Sequence, residues 1–203
     1  MRSLSEIDTI SKRATRAKGF SWGISEEVGK CTRLLELFSL PGFKNLNQYL
    51  KNYDQNKFKQ IKLISKNNNT DGKYHCPISA GVSFLDQIKM LEKLNSIEFS
   101  KIAYPLLFLP FVSRASEILG KKIFIKLDEK EFILNFNHSI FSNTSKIEIW
   151  KNANNILITF LENDNSFNEN EWDEMNKFAN ETFLEESKEL KEKSAGAGLT
   201  DND

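Results

Sequence analysis

Two adjacent carboxylates, Glu26 and Glu27, are the residues of this sequence best suited to do chemistry. They open a predicted helix just after Trp22, and adjacent helical residues point about 100° apart. One glutamate could therefore face a pocket lined by Trp22 while the other orients it, as acid or base catalysis requires. The alternative is that both complement the free N–H groups of the helix start, with Glu26 paired to Lys30 one turn later.

Basic residues flank this pair and could form an anion site. A site where two helices meet would place a carboxylate or phosphate against cations. Gly29 strengthens the interpretation of Glu26 and Glu27 as part of a pocket, because a glycine inside a helix costs about 1 kcal/mol relative to alanine and usually means that something packs close. If the cations instead neutralise carboxylates such as Glu36, they form only a solvated surface. The residues we expect to bind the ligand are Arg13, Arg16, Trp22, Lys30 and Arg33.

Histidines and cysteines are too few for most metal or redox sites. The chain has two cysteines and two histidines, so we expect no disulfide framework, no metal and no cofactor. His75 and Cys76 are adjacent, but neighbours in sequence rarely face each other, so a Cys–His hydrolase is disfavoured. Cys31 lies on the inner stripe of its helix as an apolar filler. Glycine-rich phosphate loops and the short hydrolase and zinc motifs are absent.

Residues 194–203, SAGAGLTDND, form a glycine-containing acidic tail. Such a composition is compatible with a disordered solubilising end. Alternatively, Leu199 docks in an apolar hole while Asp201 and Asp203 reach Arg13 and Arg16 or a partner.

The elements that must position these residues begin with helices. Ser3 and Glu6 have capping-box spacing, and the apolar periodicity predicts a helix to Lys18, ended by Gly19. A second helix follows as far as Leu40, so the two should form an αα-hairpin. A strand or extended segment is predicted to about Phe108, followed by a helix that has Pro110 at its first position and ends at Leu119, closed by Gly120.

The period changes from three or four to two after residue 121, which predicts strands. We expect two hairpins, one around residues 128–130 and one around 152–155, that form an antiparallel meander over residues 121–162. A capping box at Ser166 and Glu169 predicts a last helix over 166–190. The order of elements predicts an α+β fold, with the N-terminal helical hairpin and further helices packed on the meander. We assign residues 1–193 to one domain, with a helical part over 1–55.

Composition limits the partners and the location. Lys plus Arg and Asp plus Glu both number 28, so no global charge gathers nucleic acid or an anionic membrane. The N-terminus lacks a signal-peptide core, and no apolar run is long enough to span a bilayer. We therefore expect a cytoplasmic protein without nucleic-acid or membrane partners. Apolar residues on both faces of the predicted strands, such as Phe124, Ile133 and Leu157, are compatible with a homo-oligomer.

Two stretches resemble a known family. The segment R-A-T-R-A-K-G-F-S-W-G-I-S-E-E-V-G-K at residues 13–30 and the ending A-G-A-G-L-T-D-N-D are similar to those of an uncharacterised bacterial domain-of-unknown-function family. HCPIS at residues 75–79 is a weaker likeness. The resemblance implies a small cytoplasmic bacterial protein and supplies no activity, substrate or catalytic residue.

The sequence thus favours a binding or accessory protein over an enzyme. Its site would take a small anionic ligand or a partner enzyme between the helical hairpin and the tail. A small metal-independent lyase, isomerase or hydrolase using Glu26 or Glu27 is the first alternative. A structural subunit of an enzyme complex is the second, and it should expose an apolar patch along residues 97–111 or on the outer face of the meander.

Overall fold

A computed structural model describes residues 2–54, 56–144, 146–162 and 165–182. The chain divides into two compact units, Met1–Asn163 and Asp164–Asp203. The first unit contains six α-helices and a six-stranded sheet among its described residues. The fold class predicted from the sequence, α+β, is confirmed.

The N-terminal hairpin consists of α1 (Leu4–Ala17) and α2 (Trp22–Leu37). Ser3 and Glu6 form the predicted capping box, with the Glu6 amide 3.2 Å from the Ser3 hydroxyl. The Ser21 hydroxyl caps α2 by accepting a hydrogen bond from the Ile24 amide. These caps satisfy N–H groups that the first turn of a helix leaves free.

The other helices of this unit are α3 (Gly42–Lys51), α4 (Pro77–Asp86), α5 (Ile88–Leu91) and α6 (Leu109–Leu119), with a 3₁₀ turn at Pro105–Leu107. The sulfur of Cys76 caps α4, since it lies 3.4 Å from the Ser79 amide. Pro110 lies in the first turn of α6 and Gly120 ends it at φ 63°. Proline and glycine stand where the sequence predicted them, because one lacks an N–H and the other tolerates positive φ.

The sheet has the strand order β1-β2-β6-β3-β4-β5. Its strands are β1 (Asn67–Asn68), β2 (Ser96–Ala103), β3 (Ile123–Leu127), β4 (Lys130–Asn135), β5 (Ser139–Ser142) and β6 (Asn152–Phe160). All neighbouring pairs are antiparallel except β1 with β2. The strand before α6 therefore joins the same sheet as the meander.

One predicted hairpin does not form. Residues 152–155 belong to the single strand β6, and residues 146–150 are not a strand. The buried side-chain amide of Asn45 hydrogen-bonds to the backbone of this segment instead. Its Nδ2 donates to the Glu148 carbonyl over 3.2 Å, and its Oδ1 accepts from the Trp150 amide over 3.0 Å. A side chain from α3 thus takes the role expected of a neighbouring strand.

The core lies between the helices and one face of the sheet. Alternate strand residues such as Phe99, Ile125 and Phe132 are buried there, and so is most of residues 97–111. The apolar patch that a structural subunit would expose along this stretch is therefore absent there. The opposite sheet face carries Ile133 at 37% and Phe141 at 58% exposure.

The second unit contains α7 (Glu169–Asn180), capped by Asn168 and Glu171. The ring of Phe167 stacks on that of Trp172, with centroids 5.6 Å apart. Over the part of the chain that the structure describes, no helix has both the length and the apolarity needed to cross a membrane.

Candidate functional site

Glu26 and Glu27 line a cleft of about 520 Å³. Its walls come from three places in the sequence: the start of α2, the end of α4 and the first half of α6. Its lining residues are Ser21, Gly23, Ile24, Glu26, Glu27, Val82, Leu85, Asp86, Phe111 and Arg114. This volume lies in the range of ligand sites, about 300–1,000 Å³. We call this the acidic cleft.

Two glycines set the close packing around the cleft. A Cβ atom at Gly81 of α4 would overlap the ring of Phe111, so this glycine lets α4 lie directly against α6. A Cβ at Gly29 of α2 would lie 2.6 Å from Asp8 Oδ1 and 2.9 Å from the Asp8 carbonyl oxygen. The prediction that something packs closely against Gly29 is thus confirmed: it is α1.

Glu27 forms ion pairs with two cations. One carboxylate oxygen pairs with Nη1 of Arg114, and the other lies 2.9 Å from Nζ of Lys30. The side chains of Glu27 and Arg114 each retain 26% exposure. Cations on both oxygens hold the carboxylate in one position.

Glu26 and Asp86 are held less firmly. Glu26 Oε1 lies 4.0 Å from Nζ of Lys12, at the limit of an ion pair, and its side chain is 54% exposed. Asp86 is exposed at the end of α4. With Glu27, they give the cleft three carboxylates against the single guanidinium of Arg114. The lining therefore carries an excess of negative charge.

Arg114 and Asp86 are the charged members of this site that sequence reasoning missed. Burial lowers the pKa of Arg114, an effect that the nearby charge of Glu117 partly opposes. A signal was present in the sequence, since Arg114 is the first charged residue after Lys101 in an otherwise apolar and hydroxyl-bearing run. A charge in such a run needs a partner when it is buried. The sequence does not say that the partner is Glu27, because the two lie on different helices.

The structure does not gather the predicted cations around one anion. Lys30 pairs with Glu27, and Nε of Arg33 lies 3.9 Å from Asp8 Oδ2. Arg16 donates to the Phe20 carbonyl over 2.9 Å. These three cations therefore each have a different partner.

Trp22 and Arg13 lie apart from the cleft lining. Trp22 is 57% exposed, and the guanidinium of Arg16 lies 5.5 Å from the centre of its ring. Arg13 is exposed on α1. Of the residues expected to bind a ligand, Lys30 pairs with a residue that lines the cleft, Glu27.

His75 and Cys76 are both buried and contact different partners. The ring of His75 packs edge-on against the ring of Phe99, with centroids 6.1 Å apart. Burial lowers the pKa of His75, and the charge of Lys59 lowers it further. The sulfur of Cys76 lies 3.0 Å from the Tyr49 hydroxyl. These contacts give no support to a Cys–His nucleophile.

Two predicted features remain, the Cys31 thiol and the C-terminal tail. Burial raises the pKa of the Cys31 thiol, which keeps it protonated and unreactive. Within the described residues, no group of three or more His, Cys, Asp or Glu side chains could hold a metal ion. Leu199, Asp201 and Asp203 lie outside the described residues.

Residues 2–76 match a family of uncharacterised proteins. The family model is described as a protein of unknown function (DUF3726), and the match confirms the resemblance to an uncharacterised family over this part of the chain. It covers the glutamates of the acidic cleft and ends before Asp86 and Arg114. Neither the curated proteins nor the solved structures contain a match to the chain.

Proposed function

We propose that this protein binds a small molecule with a positively charged group in the acidic cleft. The observation that carries the proposal is the partly buried pairing of Glu27 with Arg114 at a cavity of about 520 Å³. A charged pair of this kind needs support from its surroundings, because removing two ions from water is costly. Such a pair in a cavity is a common feature of ligand sites.

The charge of the lining selects the class of ligand. Arg114 and Lys30 already neutralise Glu27, so Glu26 and Asp86 remain to accept hydrogen bonds from an ammonium or guanidinium group. Val82 supplies an apolar wall against which the body of the ligand would pack. An amine with a hydrocarbon or aromatic body combines these properties.

This proposal keeps the binding role expected from the sequence and changes the ligand from an anion to a cation. The reason is that Lys30 and Arg33 each have an acidic partner, whereas Glu26 and Asp86 face the cavity. A cytoplasmic location, an accessory role beside a partner enzyme and a homo-oligomeric state belong to the same proposal.

Residues 194–203 are part of the proposal as a segment that closes the site. Truncation after residue 193 tests this separately. If the tail encloses the ligand, the truncated protein releases it faster and binds it more weakly. Identical affinities of the full-length and truncated proteins would remove the tail from the account while leaving the cleft in it.

An enzyme that uses Glu26 as a base is the second candidate. One observation favours it: the Glu26 side chain lines the cavity beside a fixed carboxylate and a guanidinium. Glu27 is less suited to proton transfer, because both of its carboxylate oxygens already pair with cations. Turnover of a bound amine that is lost in a Glu26→Gln variant would favour this candidate over simple binding.

A thermal-shift panel tests the proposed binding role. Agmatine, putrescine, phenethylamine and choline represent cations, and acetate, citrate and phosphate represent anions. A ligand that binds only the native state raises the melting temperature by mass action. We expect at least one amine to do so, and the anions not to do so through the acidic cleft.

The double variant Glu26→Gln with Asp86→Asn supplies the specific test. It removes the free carboxylates and leaves the Glu27–Arg114 pair in place. The matched control is Glu129→Gln with Glu148→Gln, which removes two exposed acidic residues outside the cleft. The amine shift should disappear in the first variant and persist in the control. An equal shift in both variants would contradict binding in the cleft.

A further inference from the structure

We propose a second binding site, for a small molecule with two or more negative charges, in a pocket at the end of α3. The pocket has a volume of about 460 Å³, and its wall includes Tyr104, which directly follows β2, and the first residue of β6. The residues that carry the argument are Asn52, Lys57, Lys73, Tyr74, Tyr104 and Lys151. We call this the lysine pocket. It shares no lining residue with the acidic cleft and does not depend on the function proposed for it.

The lining of the lysine pocket is positively charged. Lys57, Lys73 and Lys151 line one concavity, and no carboxylate from the described part of the chain lines it with them. Among the described residues, none of the three belongs to an ion pair. The neighbouring carboxylate of Asp54 accepts the Asn56 amide over 2.8 Å. Three ammonium groups without neutralising partners create a positive potential that a multiply charged anion would relieve.

Hydrogen bonds fix the walls of this pocket. The Tyr104 hydroxyl donates to the Gln48 carbonyl over 3.3 Å, and its amide donates to the Lys151 carbonyl over 2.7 Å. Tyr104 adopts left-handed backbone geometry at φ 44°, which is uncommon for a bulky residue. The Tyr74 hydroxyl donates to Asn154 Oδ1 over 3.1 Å. The concavity is therefore shaped before any ligand arrives.

Contacts with the protein hold two of the ammonium groups near the pocket. Nζ of Lys73 donates to the Asn56 carbonyl over 2.8 Å, and Nζ of Lys57 lies 5.9 Å from the centre of the Phe58 ring. Both contacts hold the cations near the pocket and leave their remaining N–H donors available. The side-chain amide of Asn52 donates to the Gln48 carbonyl over 2.7 Å and to the Tyr104 hydroxyl over 3.4 Å, which adds to the fixed wall of the pocket.

The size of the pocket favours a small molecule over a polymer. A volume of about 460 Å³ suits a metabolite-sized ligand. Lysine is a point charge with three donors, which suits phosphate and carboxylate groups alike. The shared chemistry is thus a compact polyanion, which could carry either phosphate or carboxylate groups.

Calorimetric titration with pyrophosphate and with citrate, at low salt, tests this site and separates the two sources of charge. The test variant is Lys57→Gln with Lys73→Gln and Lys151→Gln. The matched control is Lys62→Gln with Lys89→Gln and Lys93→Gln, which removes the same charge from exposed positions outside the pocket. Thermal melts in buffer alone show whether each variant is folded.

We expect the unmodified protein to bind at least one of the two anions. The test variant should bind it more weakly by about tenfold or more, since the loss of a single hydrogen bond between charged groups has an effect of that size. The control should bind within about twofold of the unmodified protein. Equal weakening in both variants, or no binding by the unmodified protein, would overturn the proposal. Binding of single-stranded RNA with no binding of either anion would also overturn it.

Discussion

The acidic cleft and the lysine pocket differ in how their charges are arranged. In the cleft, Glu27 has two cationic partners, and the remaining carboxylates face the cavity. In the pocket, three lysines share one concavity without a described ion pair. The formal net charge of the whole chain is zero. The comparison shows that a neutral chain can carry two local fields of opposite sign, each with its own preferred ligand.

The two sites also differ in the elements that build them. Helices α2, α4 and α6 form the cleft, and their separation depends on close contacts such as that between Gly81 and Phe111. Strand ends and loops form much of the pocket, with tyrosine hydroxyls tied to backbone carbonyls and amide side chains. Changes in helix packing should therefore affect the cleft and leave the pocket intact.

Substitution of Gly81 by alanine is the strongest way to separate the two sites. The new methyl group overlaps the Phe111 ring, so α4 and α6 must move apart. Overpacking of this kind lowers the free energy of unfolding by about 1–3 kcal/mol, with helix propensity offsetting about 1 kcal/mol or less. Chemical denaturation measures the loss. Amine binding should weaken, while pyrophosphate binding stays unchanged.

Gly23 provides the matched control for this substitution. It lies in α2 beside the same cleft, and a Cβ atom there would meet nothing within 4 Å. Gly23→Ala should therefore stabilise the protein by up to about 1 kcal/mol through helix propensity. Destabilisation of similar size in both variants would show that the contact with Phe111 does not determine the packing.

Neutralisation of Glu27 has the next largest expected effect. Glu27→Gln leaves the guanidinium of Arg114 partly buried beside a neutral amide, which we expect to cost about 1–2 kcal/mol of unfolding free energy. A fully buried pair would cost about 3–5 kcal/mol, and the 26% exposure of both side chains reduces that figure. Denaturation of this variant at neutral pH measures the effect.

A double-mutant cycle with Arg114→Gln shows whether the two side chains act together. We expect a coupling energy of about 1 kcal/mol, as is typical of residues in direct contact. A coupling near zero would mean that the pair contributes no stability. The lysine pocket should bind pyrophosphate equally in all four proteins of the cycle.

A smaller effect is expected from His75, which lies beside the lysine pocket and should make the free energy of unfolding depend on pH. Burial lowers the pKa of His75, the residue after Tyr74 in the pocket wall. Below about pH 6.5, the ordinary pKa of histidine, the unfolded chain takes up a proton that the folded protein does not. Stability is therefore complete above that pH and falls as the pH drops towards the folded-state pKa.

Denaturation midpoints measured across this pH range for the unmodified protein and for His75→Gln test the assignment. Whatever its absolute stability, the variant should lose less stability between neutral pH and about pH 5 than the unmodified protein does. Parallel curves for the two proteins would show that His75 is not the group responsible.

Much of the fold could be predicted because its signals are local. The capping box at Ser3, proline in the first turn of α6 and the alternation in β3 and β4 each act within a few residues. The predicted hairpin around residues 152–155 failed for a non-local reason. The Asn45 side chain reaches from α3 to the backbone of residues 148–150, and no pattern in the strand region encodes that contact.

The candidate site was only partly predictable for the same reason. Glu26 and Glu27 were recognisable as adjacent carboxylates at a helix start, and Gly29 as a point of close approach. Asp86 and Arg114 lie on other helices, and only the tertiary packing brings them to the same cleft. Lys30 and Arg33, which were expected to bind an anion, pair with Glu27 and Asp8 respectively.

The most direct test of the central claim is a calorimetric titration of the acidic cleft with agmatine. It compares the unmodified protein, the Glu26→Gln/Asp86→Asn variant and the Glu129→Gln/Glu148→Gln control. The account predicts saturable binding to the unmodified protein and the control, and an affinity lower by about tenfold or more in the cleft variant. Equal agmatine affinity in all three proteins, or tighter binding after loss of the cleft carboxylates, would contradict it.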